Sequence, residues 1–311
     1  RKADVLAYSE VILPLPEETC DSFKESLCRL LEFGQHTAIE MWKAQVLKNS
    51  EMGTPEHIEK YGIETVAVED YSYYHNPIDW NGVHEKINII CATNTISNTE
   101  VTEAYMYGWM IINLHTQGYI QILARYCREV LNVSYREFYD NVFKELAEGK
   151  SIISDAFRFT KQFEEAYMER GRLATQEEMA DWGGLVIDNL GGHFTAQMAL
   201  SLVFENKEDV FAIGEKVAKT FGNIDPSIIE ANRSSLACIN RMTVGIHGAR
   251  TVEVDEEEWE QGYHIESAYD LETFEKKQTE YIVKPSIPSV SYTHLRAHET
   301  SLHLVCRLLL E

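Results

Sequence analysis

Few residues in this sequence stand at spacings that do chemistry unaided. The six cysteines, at 20, 28, 91, 127, 238 and 306, contain no CxxC or CxxxCxxC, and the histidines show no metal-ligand spacing. They read as reduced, partly buried thiols. No Ser–His–Asp arrangement and no pair of glutamates for acid–base work stands out. Thr93, Asn94 and Thr95 lie at the mouth of an apolar run, where they either face a substrate or turn the chain before Ser97 caps a helix. The turn is the simpler reading. His115, amid apolar residues, reads as a hydrogen-bonded core histidine rather than a ligand. Tyr71, Tyr73, Tyr74 and His75 either line a pocket or pack over a joint between domains. Asp181-Trp182-Gly183-Gly184 and Gly191-Gly192-His193 lack the GxGxxG order and no strand feeds them, so they read as helix breaks. The acidic run Asp255 to Glu258 reads as a solvated face.

The elements that must position any site are clearer. Val5 to Leu13 is a short β-branched and apolar run closed by Pro14 and Pro16, which predicts a buried strand. Thr19 is a candidate N-cap for the helix after it. Phe23, Leu27, Leu30 and Leu31 recur at helical spacing, and Gly34 stands where a left-handed C-terminal cap belongs. Ile39 to Leu47 predicts a second strand, so the segment reads as the βαβ unit of a parallel sheet or barrel. Thr54-Pro55 starts a short helix that Gly62 ends, and a strand-like ETVAVEDY follows. The aperiodic, Tyr-, Asn- and Pro-rich stretch 71–83 reads as a linker. Beyond it, KINIICATNT reads as an extended entry. Ser97 with Glu100 forms a capping box opening a long, nearly all-apolar helix over 98–131, and Ser134 with Glu137 repeats that box. Further helices fit 151–170, 175–181, 194–221 and 227–242.

The most informative stretch is Ser9-Glu10-Val11-Ile12-Leu13-Pro14-Leu15-Pro16-Glu17-Glu18-Thr19. It resembles the "ILGLPGET" segment of radical S-adenosylmethionine (SAM) enzymes, where the fifth barrel strand meets its helix and packs against the SAM adenine. Leu13, Leu15, Glu18 and Thr19 keep that pattern, whereas Pro14 and Glu17 stand where the family usually has glycine. The segment from Gly34 to Val66 is similar to the sixth strand and barrel exit of cobalamin-binding radical SAM proteins. There the resemblance implies adenine contacts through Gln45, Val46 and Leu47. Residues 92–140 resemble the helical domain that follows the barrel. The resemblance implies an α/β fold, with 1–70 the last part of a TIM-like radical SAM barrel, 71–83 a linker and 84–288 a mainly helical C-terminal domain. It also implies SAM, a 4Fe–4S cluster and cobalamin as cofactors of the parent protein, with radical or methyl-transfer chemistry on a small molecule or peptide. The cluster ligands and the cobalamin domain are expected upstream of Arg1, which would leave this chain inactive alone.

Composition narrows the partners. A formal charge of −22 disfavours phosphate backbones, because nucleic-acid binding relies on Lys and Arg displacing counterions. No stretch reaches the roughly 20 apolar residues needed to span a bilayer, and a cytoplasmic protein is expected. Residues 289–311 break with the acidic chain before them and resemble translated adaptor or vector sequence, which also removes His294, His298 and His303 from functional reasoning. The rival expectation is a non-enzymatic helical interaction protein whose βαβ unit is only structural. A CxxxCxxC motif and a cobalamin-binding domain in the upstream reading frame would decide between the two.

Overall fold

The computed structural model describes residues 9–36, 39–69, 86–171 and 206–233, together with the backbone of four short strands between 263 and 283. The Tyr71–His75 cluster, the 71–83 linker, the two glycine pairs, Asp255 to Glu258 and the 289–311 tail lie outside these residues.

Strand β1 (Ser9–Leu13) alternates: Val11 and Leu13 face the core, while Glu10 and Ile12 are exposed. Helix α1 (Cys20–Glu32) starts where Thr19 and Ser22 satisfy each other's backbone N–H groups, at 3.0 and 2.9 Å. It buries Phe23, Leu27, Cys28 and Leu31. It ends as predicted, with Gly34 at φ 85° and the N–H groups of Gly34 and Gln35 donating to Leu31 and Leu30. Strand β2 (Ile39–Lys43) then pairs with β1 in parallel, from Ser9 opposite Ile39 to Leu13 opposite Lys43. The βαβ reading of the sequence therefore holds.

The second strand is shorter than predicted. Regular pairing with β1 stops at Lys43. Ala44 still donates its N–H to Leu13 O at 2.8 Å, but its carbonyl accepts from Ile90, and Val46 donates to Asn88 at 2.8 Å. The chain here changes from a parallel to an antiparallel partner, β4 (Lys86–Ala92). Helix α2 (Pro55–Tyr61), capped by Thr54 and ended by Gly62, leads into β3 (Glu64–Glu69), which pairs antiparallel with β4. The neighbours thus run β1, β2 with its extension, β4, β3. Among the described residues this is a mixed α/β arrangement with small sheets and no closed barrel.

The long apolar helix is interrupted. Helix α3 (Asn98–Met110) is capped by the predicted Ser97–Glu100 box, widens into a π-helical turn over Ile111–Thr116, and gives way to α4 (Gln121–Glu129). Side chains return to the backbone here: Asn113 donates to Trp109 O at 2.8 Å and Thr116 to Ile112 O, contacts that loosen the regular ladder. Gly118, at φ 85°, then breaks it. Helices α5 (Tyr135–Glu148), α6 (Ile152–Arg170), α7 (Lys207–Phe221) and a helix of about two turns at 226–233 complete the described helical layer. Ser134 caps α5 through the Glu137 N–H. One continuous core runs from Leu13 through α1, α3 and α5 to Ala231. No described helix is long and apolar enough to cross a membrane.

Candidate functional site at the strand ends

Three chain segments converge where β1 and β2 end. The first is the turn Leu15–Glu18, closed by the Glu18 N–H donating to Leu15 O at 3.1 Å, after a cis Leu13–Pro14 bond. Pro16 and Glu17 occupy its centre, and Glu17 has a φ of 69°. That left-handed geometry is the one glycine adopts freely, and here a glutamate bears the strain. Glu17→Gly is therefore expected to raise stability by about 0.5–1 kcal/mol and a β-branched residue to lower it, measured as the urea midpoint.

The second segment is Ala44–Leu47, held between Leu13 on one side and Asn88 and Ile90 on the other. The third is the turn Thr93–Ile96. Its role goes beyond turning the chain. Thr95 Oγ1 donates to Glu18 O at 2.7 Å, and Asn94 N–H donates to Tyr61 O at 2.9 Å, so the turn ties the β1–α1 junction to the end of α2. The sequence showed these polar residues but could not show what they hold.

The predicted site residues divide into two groups. Leu13 is buried in the core and Val46 packs with Ala44, Ile63 and Ile90, so both side chains are committed to structure. Thr19 is committed to its cap. Leu15, Gln45 and Leu47 are exposed, and Glu18 is half-buried, its carboxyl pushed up by burial against opposing hydrogen bonds from the Leu15 backbone and Ser22. Among the described residues, six large apolar side chains are exposed: Ile12, Leu15 and Leu47 belong to these strand-end segments, and the other three are scattered over helix ends. Ile12 pairs in register with half-buried Trp42, and Glu10 with Glu40, on the sheet face opposite the core. The strand ends therefore present exposed apolar side chains beside tight backbone turns, a combination suited to a flat heteroaromatic ring.

Metal ligation has no support in the described residues. No three of their His, Cys, Asp and Glu side chains are grouped so as to hold a metal ion, and burial pushes the Cys28 and Cys127 thiols up to about 12. They do not fit an iron–sulfur cluster. His115 is fully buried at the π-helical turn. Its Nε2 lies 3.0 Å from His36 Nδ1 and its Nδ1 is hydrogen-bonded to the Tyr139 hydroxyl. It is the satisfied core histidine that its surroundings predict.

Comparison with known proteins gives two relatives of the same kind. Over 139 residues the chain is 29% identical to the cobalamin-dependent radical SAM methyltransferase TokK of Streptomyces tokunonensis. The chain is a relative of a radical SAM enzyme. Over the same length it is 30% identical to the 2-(S-pantetheinyl)-carbapenam-3-carboxylate methyltransferase of Streptantibioticus cattleyicolor. Each match takes in 45% of this chain and 20% of the relative, so the chain spans about a fifth of either methyltransferase. No protein-family model matches the chain.

Proposed function

We propose that this chain forms the adenosyl-facing strand ends and part of the helical cover of a cobalamin-dependent radical SAM methyltransferase. The observation that carries the reading is the parallel β1–β2 pair, joined at Leu13 O and Ala44 N, with Ile12, Leu15 and Leu47 exposed around its C-terminal end. Ligands of parallel α/β folds bind at the carboxyl ends of strands, where side chains and unpaired backbone meet solvent. In this reading Leu15, Gln45 and Leu47 flank the adenine, while Leu13, Val46 and Thr19 contribute backbone and support. The outer sheet face of Glu10, Ile12, Glu40 and Trp42 lines the interior of a TIM-like barrel, with 84–288 as the helical domain over it. Cobalamin would relay a methyl group and the 4Fe–4S cluster would cleave SAM, and the residues that hold those two groups belong to other parts of the protein. The acceptor is a small molecule or peptide.

Saturation-transfer NMR with 5′-deoxyadenosine tests the adenosyl reading, since it detects weak contact. Transfer to the adenine protons is expected with the wild-type chain and is expected to vanish in the Leu15→Asp/Leu47→Asp variant, whose charges are set against the ring. Absence of transfer in the wild type would refute the reading.

A further inference from the structure

Lys43 is the last regular residue of β2, immediately before the chain changes partners at Ala44. It lies on the same face as Ile39 and Met41, toward the core. Its Nζ is 2.8 Å from Oε1 of Glu164 on α6, whose side chain is only 1% exposed. The same ammonium sits 3.9 Å from the centre of the Tyr105 ring on α3 and 5.3 Å from that of Tyr167 on α6. Burial works against the Lys43 charge, but the Glu164 carboxylate and the two tyrosines outweigh it and hold its pKa above the ordinary range. Among the described residues, Lys43 supplies the only cation paired with Glu164, and neither carboxylate oxygen finds another hydrogen-bond partner.

A buried pair of this kind adds little net stability, because desolvation consumes most of the attraction, yet separating the charges is strongly unfavourable. That asymmetry acts on register. A slip of β2 by one residue would turn Lys43 to the other face of the sheet and leave the Glu164 carboxylate uncompensated in the core. Exposed pairs elsewhere, such as Arg158 with Asp155, impose no such penalty.

We propose that Lys43 and Glu164 are positioning residues that fix where β2 ends, so that Gln45 and Leu47 stand in one place beside Leu13 and Leu15. The functional consequence rests on the adenosyl-facing reading; the geometric claim does not. Amide hydrogen exchange on the whole chain tests it. In Lys43→Met/Glu164→Gln, which leaves no unpaired charge, the thermal midpoint is expected to stay near that of the wild type. The Ala44, Val46 and Ile90 amides are expected to exchange about 10-fold faster while α5 amides keep their rates. Lys43→Arg, which keeps a cation beside Glu164, is expected to retain wild-type protection at these amides. Wild-type rates at those three amides in the double variant would overturn the proposal. Should that variant not fold, Glu164→Asp replaces it: faster exchange confined to the three amides supports the proposal, and equal acceleration in α1 and α5 refutes it. Binding of 5′-deoxyadenosine is read separately, so its absence in the wild type counts against the adenosyl reading while the amides still decide this one.

Discussion

Phe157→Ala should cost about 3–5 kcal/mol, enough to remove much of the stability of a domain this size. Phe157 is 1% exposed on α6 and meets two rings edge-on, Trp109 of α3 at 5.7 Å and Phe143 of α5 at 5.3 Å. Three helices therefore close on one side chain. Truncation would remove the apolar contact and leave a cavity that three helices cannot all collapse to fill. Phe33, 80% exposed after α1, is the internal control, and its replacement by alanine should change stability by less than about 0.5 kcal/mol. Urea unfolding of the two variants beside the wild type measures the difference. A loss below about 1 kcal/mol for Phe157→Ala would mean that the α3–α5–α6 junction is not packed as described.

The second large effect is on pH dependence. His115 is fully buried and its pKa lies well below the ordinary 6.5, first because burial penalises the charged ring and then because His36 and Arg125 repel it. Tyr135 and Tyr139 of α5 also face the ring but carry no charge in this range, burial holding both hydroxyls well above their usual pKa. The folded state thus keeps His115 neutral where the unfolded chain protonates it. With more protons bound in the unfolded state, stability rises with pH. The contribution is complete above about pH 6.5 and is lost as pH falls below it, with a slope of up to about 1.4 kcal/mol per pH unit. Between about pH 6.5 and pH 5 that amounts to roughly 2 kcal/mol. Unfolding free energies measured across this window should show the slope in the wild type and not in His115→Asn. Parallel curves for the two proteins would show that His115 titrates normally.

Much of the local structure was legible because it is determined by near neighbours. The caps at Thr19, Thr54 and Ser97 and the left-handed stops at Gly34 and Gly62 all form as their residue types predict. The apolar run ending at Leu13 was legible as a strand, but not that Val11 and Leu13 would be buried while Glu10 and Ile12 face outward. Glu17 was visible as a departure from glycine, but its positive φ of 69° was seen only in the backbone. The long helix was misread at 111–120 because apolar residues predominate on both sides of its polar stretch 115–118. The returning side chains of Asn113 and Thr116 and the break at Gly118 were the available signals, and hydrophobic pattern outweighed them.

What required the tertiary structure is every relation between distant segments. The change of partner at Ala44, the Thr95 bond to Glu18, the His36–His115–Tyr139 chain and the Lys43–Glu164 pair join residues whose individual surroundings in the sequence are unremarkable. Sequence by itself determined the βαβ order, the helix starts and stops and the strand-end segment resembling a SAM-binding edge, because these depend on side chains reacting with their own backbone within a few residues. Which of those segments meet, which predicted contact residues are consumed by the core and which remain exposed were decided only when the chain packed, since burial and charge pairing are properties of the assembled interior.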